Sequence, residues 1–198
     1  MASLNGKVVV ITGAGSGIGR ATATLLASHS ILLSLADVNA KALETVQDEL
    51  QRHFPTSSIL VTVVDVRSQE ACSSWIAQTV AHFGRPVAGA ANLAGAFGPS
   101  IAQECGAIRH ITDAEFDSVM AVNVKGTLNS LRAELPHVVE GSKGRGGGAI
   151  VNAASVAGLV GGENNVPYVA SKHAIIGMTR TAAKEEGVRA IRVNAIAP

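Results

Sequence analysis

The glycine-rich segment TGAGSGIG, residues 12–19, constrains the possible folds of this chain more strongly than any other stretch. It lies between KVVVIT (7–12), whose β-branched run suits a buried strand, and residues 20–28, which have the pattern of a helix. Glycines at such a turn let a phosphate group approach the free N–H groups at the helix N-terminus. The segment therefore predicts a dinucleotide-binding turn, and a tight turn without a ligand is the alternative interpretation. The residues predicted to contact the cofactor here are Gly13, Ser16, Gly17, Ile18 and Gly19.

The remainder of the chain alternates between short apolar runs and longer stretches of helical period. Further strands are predicted at 31–37, 59–66, 87–95, 149–155 and 190–197, and further helices at 41–54, 68–83, 112–135 and 168–186. This alternation is typical of an α/β fold, a single Rossmann-like doubly wound parallel sheet with helices on both faces. Thr112 and Glu115 are predicted to form a capping box. Residues 96–111 are predicted to be a loop, and 141–148 a flexible connection.

Composition narrows the classes of function. The 198 residues suit one domain, and 16 basic against 15 acidic residues leave a net charge of +1 with no basic block, so no nucleic-acid partner is expected. The two cysteines, Cys72 and Cys105, have neither disulfide-framework nor metal-ligand spacing, and no metal site is expected. The chain has no signal-peptide pattern and no run of about 18 apolar residues, so no membrane association is expected and a cytoplasmic location is predicted.

Asp37 ends the second predicted strand, close to the offset of about 20 residues at which a carboxylate accepts hydrogen bonds from the adenosine ribose. A 2′-phosphate at this position would be repelled, and neither Ser16 nor Val38 supplies a cation. NAD is therefore the predicted cofactor, while Lys41 keeps NADP possible. The alternative interpretation of Asp37 is a helix N-cap or turn residue.

Tyr168 is the only tyrosine of the chain and stands four residues before Lys172 in YVASK (168–172). Residues at i and i+4 lie on the same face of a helix. A free tyrosine has a pKa of about 10, and a neighbouring ammonium favours its phenolate. The pair can therefore exchange a proton with an alcohol or a carbonyl oxygen while hydride passes to or from a nicotinamide.

Several motifs in chain order resemble the short-chain dehydrogenase/reductase family, including its 3-oxoacyl-carrier-protein reductases and hydroxysteroid dehydrogenases. TGAGSGIG fits the family's TGxxxGxG, and NLAG (92–95) fits its NNAG with Leu93 in place of the second Asn. YVASK fits YxxxK, and Ser155 precedes Tyr168 by the family's usual interval of 13 residues. The resemblance covers essentially the whole chain.

The resemblance implies a role for each of four catalytic residues. Tyr168 would be the general acid/base, and Lys172 would favour its phenolate and hold the nicotinamide ribose. Ser155 would donate a hydrogen bond to the substrate oxygen, and Asn123 would position a water between Lys172 and solvent. Taken singly, Ser155 could instead be a strand-end cap, Asn123 a satisfied buried amide and Lys172 a solvated side chain.

The resemblance also implies further contacts with the cofactor. Asp65 and Val66 match the family's adenine-contacting pair. The cofactor-binding residues predicted beyond the glycine turn and Asp37 are Asp65, Val66, Asn92, Ala94, Gly95, Tyr168, Lys172 and Pro198. Two histidines are not expected to be catalytic: His173 points about 100° away from Lys172 on a helix, and His110 lies in the predicted loop.

Family members usually continue with a substrate lid and a seventh strand, whereas this sequence ends at Pro198. Residues 1–198 are therefore expected to form one dinucleotide-binding catalytic domain, C-terminally truncated, with an unpaired edge at 190–197. Two functions remain open at this point. The first is an NAD(P)-dependent oxidoreductase that interconverts a secondary alcohol and a ketone. The second is a catalytically idle nucleotide-binding or interaction module.

The substrate is expected to be a small apolar ketone or alcohol. Residues 96–111 and 156–167, with Leu159, Val160 and Val166, are expected to line a largely apolar pocket. A homo-oligomer is possible, since the family often assembles through its long helices.

Overall fold

The computed structural model describes residues 4–101, 103–142 and 146–198. Residues 143–145 of the predicted connection at 141–148 lie outside this range. The strands are β1 (Val8–Thr12), β2 (Leu32–Asp37), β3 (Ile59–Val63), β4 (Val87–Asn92), β5 (Ala149–Ala153) and β6 (Arg192–Ile196). The α-helices are α1 (Gly17–Ala27), α2 (Ala40–His53), α3 (Gln69–Phe83), α4 (Asp113–Met120), α5 (Gly126–Glu134) and α6 (Val166–Glu186).

The six strands form one parallel sheet in the order β3-β2-β1-β4-β5-β6. The chain builds outward from β1 to β3, then crosses to the other side of β1 and builds outward to β6. This reversal creates a crevice at the carboxyl ends of β1 and β4, where ligands bind in doubly wound sheets. The predicted doubly wound α/β fold is confirmed.

Helices bury both faces of the sheet at β1, whereas alternate residues of β5 are only half-buried and most residues of β6 are exposed. Along β1, Val8 and Val10 belong to the cluster that includes Trp75 of α3, whereas Val9 and Ile11 belong to the cluster that includes Leu43 of α2. Alternate side chains of a strand point to opposite faces, so a strand covered on both sides must be apolar at every position. This is why the continuous run VVVI was a reliable signal for a central strand.

The predicted helix at 112–135 contains an interruption. Between α4 and α5, residues Ala121–Lys125 form a wider π turn, which has Asn123 at its centre. The predicted capping box at its start forms only in part. The Thr112 side chain accepts a hydrogen bond from the Glu115 N–H, but the Glu115 carboxylate accepts instead from the N–H and hydroxyl of Ser100. Glu115 therefore ties α4 to the loop after β4.

Hydropathy gives no sign of a membrane span in the structure. None of the helices within the described ranges combines the length and apolar character needed to cross a bilayer.

Candidate active site

A cavity of about 910 Å³ opens at the carboxyl ends of the strands. It is formed where the loops after β1, β2, β3, β4 and β5 meet the N-terminal part of α6. The predicted site residues that line it are Gly13, Ser16, Gly17, Ile18, Gly19, Asp37, Asp65, Val66, Ala94, Gly95, Ser155, Tyr168, Lys172 and Pro198. Of the predicted catalytic and cofactor-binding residues, only Asn92 and Asn123 are absent from the lining.

One end of the cavity is built to receive an anion. Gly13 has a φ of 68°, and a Cβ there would lie 2.8 Å from the backbone nitrogen of Ala94, so only glycine fits. Gly17 has a φ of 47°, and a Cβ there would meet nothing within 4 Å. Ser16 occupies the N-cap position of α1 without capping it, unlike Asn39 and the other side-chain caps of this chain. The first N–H groups of α1 are therefore left for a ligand, and this suits a pyrophosphate.

Asp37 forms the next part of the lining. Its carboxylate accepts hydrogen bonds from the N–H groups of Gly15 and Asn39, both at 2.9 Å. Asp37 is not the N-cap of α2, because Asn39 caps that helix through the N–H of Ala42. The bond from the Asn39 N–H is the contact of a turn residue, which was the other part of the alternative interpretation. Val38 lines the cavity beside Asp37, whereas Lys41 does not. The position predicted to bind the ribose thus carries a carboxylate, and its neighbour in the lining, Val38, is not a cation.

Asp65 has a partner that the sequence did not predict. Arg67 donates to both carboxylate oxygens, through Nε at 2.9 Å and Nη2 at 2.6 Å, and itself lines the cavity. The hydrogen bond from Arg67 holds the pKa of the Asp65 carboxyl below its usual value. The sequence did carry a signal for this ion pair, because a cationic residue stands two positions after the carboxylate at the end of a strand.

Tyr168 and Lys172 meet at the other end of the cavity. They stand one turn apart on α6, and the Lys172 Nζ lies 5.2 Å from the centroid of the Tyr168 ring. Lys172 is only 4% exposed and donates a 2.6 Å hydrogen bond to the carbonyl of Ala153. Burial lowers the pKa of Lys172 to about 8. The i, i+4 geometry expected from YVASK is therefore present, and the lysine is buried rather than solvated.

Ser155 follows the end of β5 and lines the same cavity. Its hydroxyl accepts a hydrogen bond from the Ala157 N–H at 3.3 Å and donates to the Pro198 carbonyl at 3.2 Å. The residue therefore has the strand-end capping contact that was its alternative interpretation, and it also faces the cleft. The two roles are compatible, because the hydroxyl can keep accepting from Ala157 while its one O–H turns from the Pro198 carbonyl to a ligand.

Asn123 lies behind the cavity wall. Its Nδ2 donates to the Ala96 carbonyl and to the Ser171 hydroxyl, and its Oδ1 accepts from the Ala96 N–H at 2.7 Å. A Cβ on Gly95 would lie 3.4 Å from this Oδ1 and 3.7 Å from the Lys172 Nζ. The amide is thus near Lys172 but is occupied in joining the loop after β4 to α6.

The structure corrects the placement of Asn92. Its side chain is buried and donates to Glu134 Oε2 and Asn152 Oδ1, both at 3.0 Å, on the α5 side of the sheet. Alternation along β4 directs this side chain away from the cleft, while Leu93, Ala94 and Gly95 line it after the strand has ended. Motif position alone could not decide which face Asn92 occupies.

Some of the residues predicted to form the apolar lining of the substrate pocket do not line the cavity. Leu159 and Val160 are exposed, and neither they nor Val166 line the cavity. Phe97 and Asn165 do line it, and neither was among the individually predicted residues. Asn165 is the N-cap residue of α6, and its position just before a predicted helix was the available signal. His110 and His173 are outside the lining, and the expectation that neither is catalytic remains a prediction.

Comparison with known proteins identifies the class of this site. The family described as short chain dehydrogenase matches residues 7–198. The chain is 44% identical over 192 residues to the short-chain dehydrogenase/reductase aba4 of Botryotinia fuckeliana, covering 97% of this chain and 70% of that protein. It is 36% identical over 200 residues to the 2,5-dichloro-2,5-cyclohexadiene-1,4-diol dehydrogenase of Sphingobium indicum, covering 100% and 74%. A crystal structure of NAD+-bound xylitol dehydrogenase matches with a TM-score of 0.88 at 35% identity, covering 98% of this chain and 70% of that one.

The chain therefore belongs to the short-chain dehydrogenase family. It is an enzyme, an NAD(P)-dependent oxidoreductase that interconverts alcohols and ketones, and both predictions are confirmed. The alternative of a catalytically idle binding module receives no support from these relatives.

Proposed function

We propose that Tyr168 is the general acid/base of a reaction between an apolar secondary alcohol and its ketone, with NAD as the cofactor. The observation that carries this proposal is the 5.2 Å approach of Lys172 Nζ to the Tyr168 ring in a cavity that also contains the open N-terminus of α1. A proton-transfer pair and an anion site thus share one cleft.

The lining residues account for how NAD would be held. The pyrophosphate suits the N–H groups at the start of α1, the adenosine ribose suits Asp37, and the adenine end lies near Asp65 and Val66. When bound, NAD supplies the hydride acceptor of alcohol oxidation, and its reduced form supplies the hydride for ketone reduction.

The protein's own residues handle the proton. In ketone reduction, the Tyr168 hydroxyl donates its proton to the carbonyl oxygen, and the Ser155 hydroxyl turns from the Pro198 carbonyl to donate its hydrogen bond to the same oxygen. The buried Lys172 ammonium stabilises the negative charge that develops on the phenol oxygen. Oxidation uses the same groups in reverse. The water-positioning role expected for Asn123 remains a prediction, and its side-chain contacts support a role in holding Ala96 and Ser171 in place.

The substrate class follows from the lining near Tyr168. Ala96, Phe97, Val122 and Ala157 supply apolar surface there, and Ser155 and Asn165 supply polar groups. One relative is named for a cyclohexadiene-diol, which is a six-membered carbocycle. A carbocyclic alcohol or ketone with few polar substituents is therefore the proposed substrate of this chain.

The proposed reaction is tested by mixing the protein with NADH and a panel of ketones while following the absorbance of the reduced nicotinamide. The panel contains cyclohexanone, methyl n-butyl ketone, acetophenone and the charged keto acid pyruvate. We expect turnover with the apolar ketones, fastest with cyclohexanone, and none with pyruvate. A flat trace with every ketone, and with the corresponding alcohols and NAD+, would contradict the proposal.

Cofactor preference gives a second test. Asp37→Ala combined with Val38→Arg removes a repelling carboxylate and adds a cation, and should shift the preference towards NADPH by more than about 1 kcal/mol. The measurement is the ratio of kcat/KM values with NADPH and NADH. Val38→Arg alone is the control, because it retains the carboxylate and should shift the ratio less. An unchanged protein that already prefers NADPH would show that Asp37 does not select the cofactor.

Other expectations remain predictions. The cytoplasmic location, the homo-oligomer and the single catalytic domain over residues 1–198 belong to this group. The oligomeric state can be measured by analytical ultracentrifugation of the purified protein.

A further inference from the structure

Phe97 has an unusual position for an apolar side chain. Its ring stacks on the ring of Tyr168, with centroids 4.4 Å apart and planes inclined by 28°, and it lines the cavity. It is nevertheless 60% exposed. A large aromatic side chain left open in a cleft gains from burial when a ligand covers it. Phe97 therefore offers apolar contact area directly beside the proposed proton donor.

The loop that carries Phe97 is anchored on both sides of the ring. On one side, Asn123 binds both the N–H and the carbonyl of Ala96. On the other side, Glu115 accepts two hydrogen bonds from Ser100, and a Cβ on Gly98 would collide with the Glu115 carboxylate. The ring is thus held in place before a ligand arrives, and little ordering of this loop is needed on binding.

Polar and apolar groups around the proposed reaction centre are separated. Tyr168 and Ser155 provide the hydroxyls that face a substrate oxygen, whereas Phe97 provides no hydrogen-bonding group. A substrate whose oxygen reaches Tyr168 brings the carbon skeleton next to that oxygen within reach of the Phe97 ring. A flat or cyclic apolar skeleton can place many atoms on an aromatic face at once, while an open chain can rotate away from it.

We infer that Phe97 determines specificity by packing against the ring of a carbocyclic alcohol or ketone, an inference that rests on the proposed function of this site. The residue acts on substrate choice, while proton transfer is left to Tyr168. Removing the ring should weaken binding of cyclic ketones more than that of open-chain ketones with the same number of carbons.

The test measures equilibrium binding of cyclohexanone and of methyl n-butyl ketone, by calorimetry or ligand-observed NMR, to the protein saturated with NAD+. This readout needs no turnover. Phe97→Ala should raise the Kd of cyclohexanone at least about 10-fold, while changing the Kd of the open-chain ketone by less than about 3-fold and leaving the Kd of NAD+ unchanged. Phe97→Leu keeps an apolar side chain of similar reach and should give an intermediate effect. This variant provides the test if Phe97→Ala does not fold.

Ile108→Ala is the matched control, because Ile108 is an exposed apolar residue of the same region that does not line the cavity. It should leave the Kd values of both ketones unchanged. Equal weakening of the two ketones by Phe97→Ala and Phe97→Leu, or no weakening of either, would overturn the inference. If Phe97→Ala weakens cyclohexanone binding selectively but the protein turns over no ketone, the proposed reaction is contradicted and the role of Phe97 is supported. If the protein turns over ketones but Phe97→Ala does not distinguish the two in binding, only the inference about Phe97 is refuted.

Discussion

Replacing Tyr168 with phenylalanine is expected to lower kcat at least about 100-fold, because proton transfer by a positioned side chain contributes about 10²-fold or more. The variant keeps the aromatic ring that stacks on Phe97 and loses only the hydroxyl. The Kd of NAD+ should therefore change little. Steady-state kinetics with a responsive ketone, together with cofactor titration, separates the two quantities.

His173→Ala is the control for this experiment. His173 is exposed on the same helix, directly after Lys172, and outside the cavity lining. We expect its kcat to stay within about 2-fold of the unchanged protein, the size of a surface substitution away from the reacting groups. Near-normal turnover by Tyr168→Phe would remove Tyr168 from the mechanism, and a large loss in His173→Ala would return the histidine to consideration.

Glu134→Gln is expected to stabilise the protein at neutral pH. Glu134 is fully buried on α5, and desolvation raises the pKa of its carboxyl from 4.5 to about 8. Its Oε2 accepts from Asn92, while its Oε1 and the Asn92 Oδ1 have no hydrogen-bond partner among the described residues. An ionised carboxylate is poorly supported in this position, so the folded protein keeps Glu134 protonated at pH 7.

The sign of the pH dependence follows from proton binding. Because the folded pKa lies above the unfolded value, the folded state holds more protons between pH 4.5 and about 8. The contribution to stability is complete below the lower value and is lost as pH rises through the upper one. Glutamine keeps the acceptor for Asn92 without this loss, so the variant should have a free energy of unfolding about 3 kcal/mol higher at pH 7.

Denaturant unfolding of both proteins at several pH values between 5 and about 8.5 provides the measurement. The difference between Glu134→Gln and the unchanged protein should grow with pH across this window. Glu185→Gln, which changes an exposed carboxyl, is the control and should show no such growth. A difference for Glu134→Gln that is independent of pH would contradict the buried protonated carboxyl.

The parallel sheet and most of the site could be predicted because their signals are local in the chain. The run VVVI marks a strand buried on both faces, and the spacing of Tyr168 and Lys172 places both on one side of a helix. Helix ends were predicted to within a few residues, as with α3 and its cap Ser68. The π turn at Ala121–Lys125 was missed because nothing in its residue types distinguishes it from an α-helical turn.

By itself, the sequence determined the order of strands and helices, the glycine turn at the start of α1, and the residues able to carry a proton, since each depends on neighbours within a few positions. Only the tertiary structure decided which partner each side chain meets. It directed Asn92 to Glu134 rather than to the cleft, joined Arg67 to Asp65 in the cavity lining, and set Phe97 against Tyr168. The physical reason is that burial and long-range hydrogen bonding depend on which surfaces the folded chain brings together.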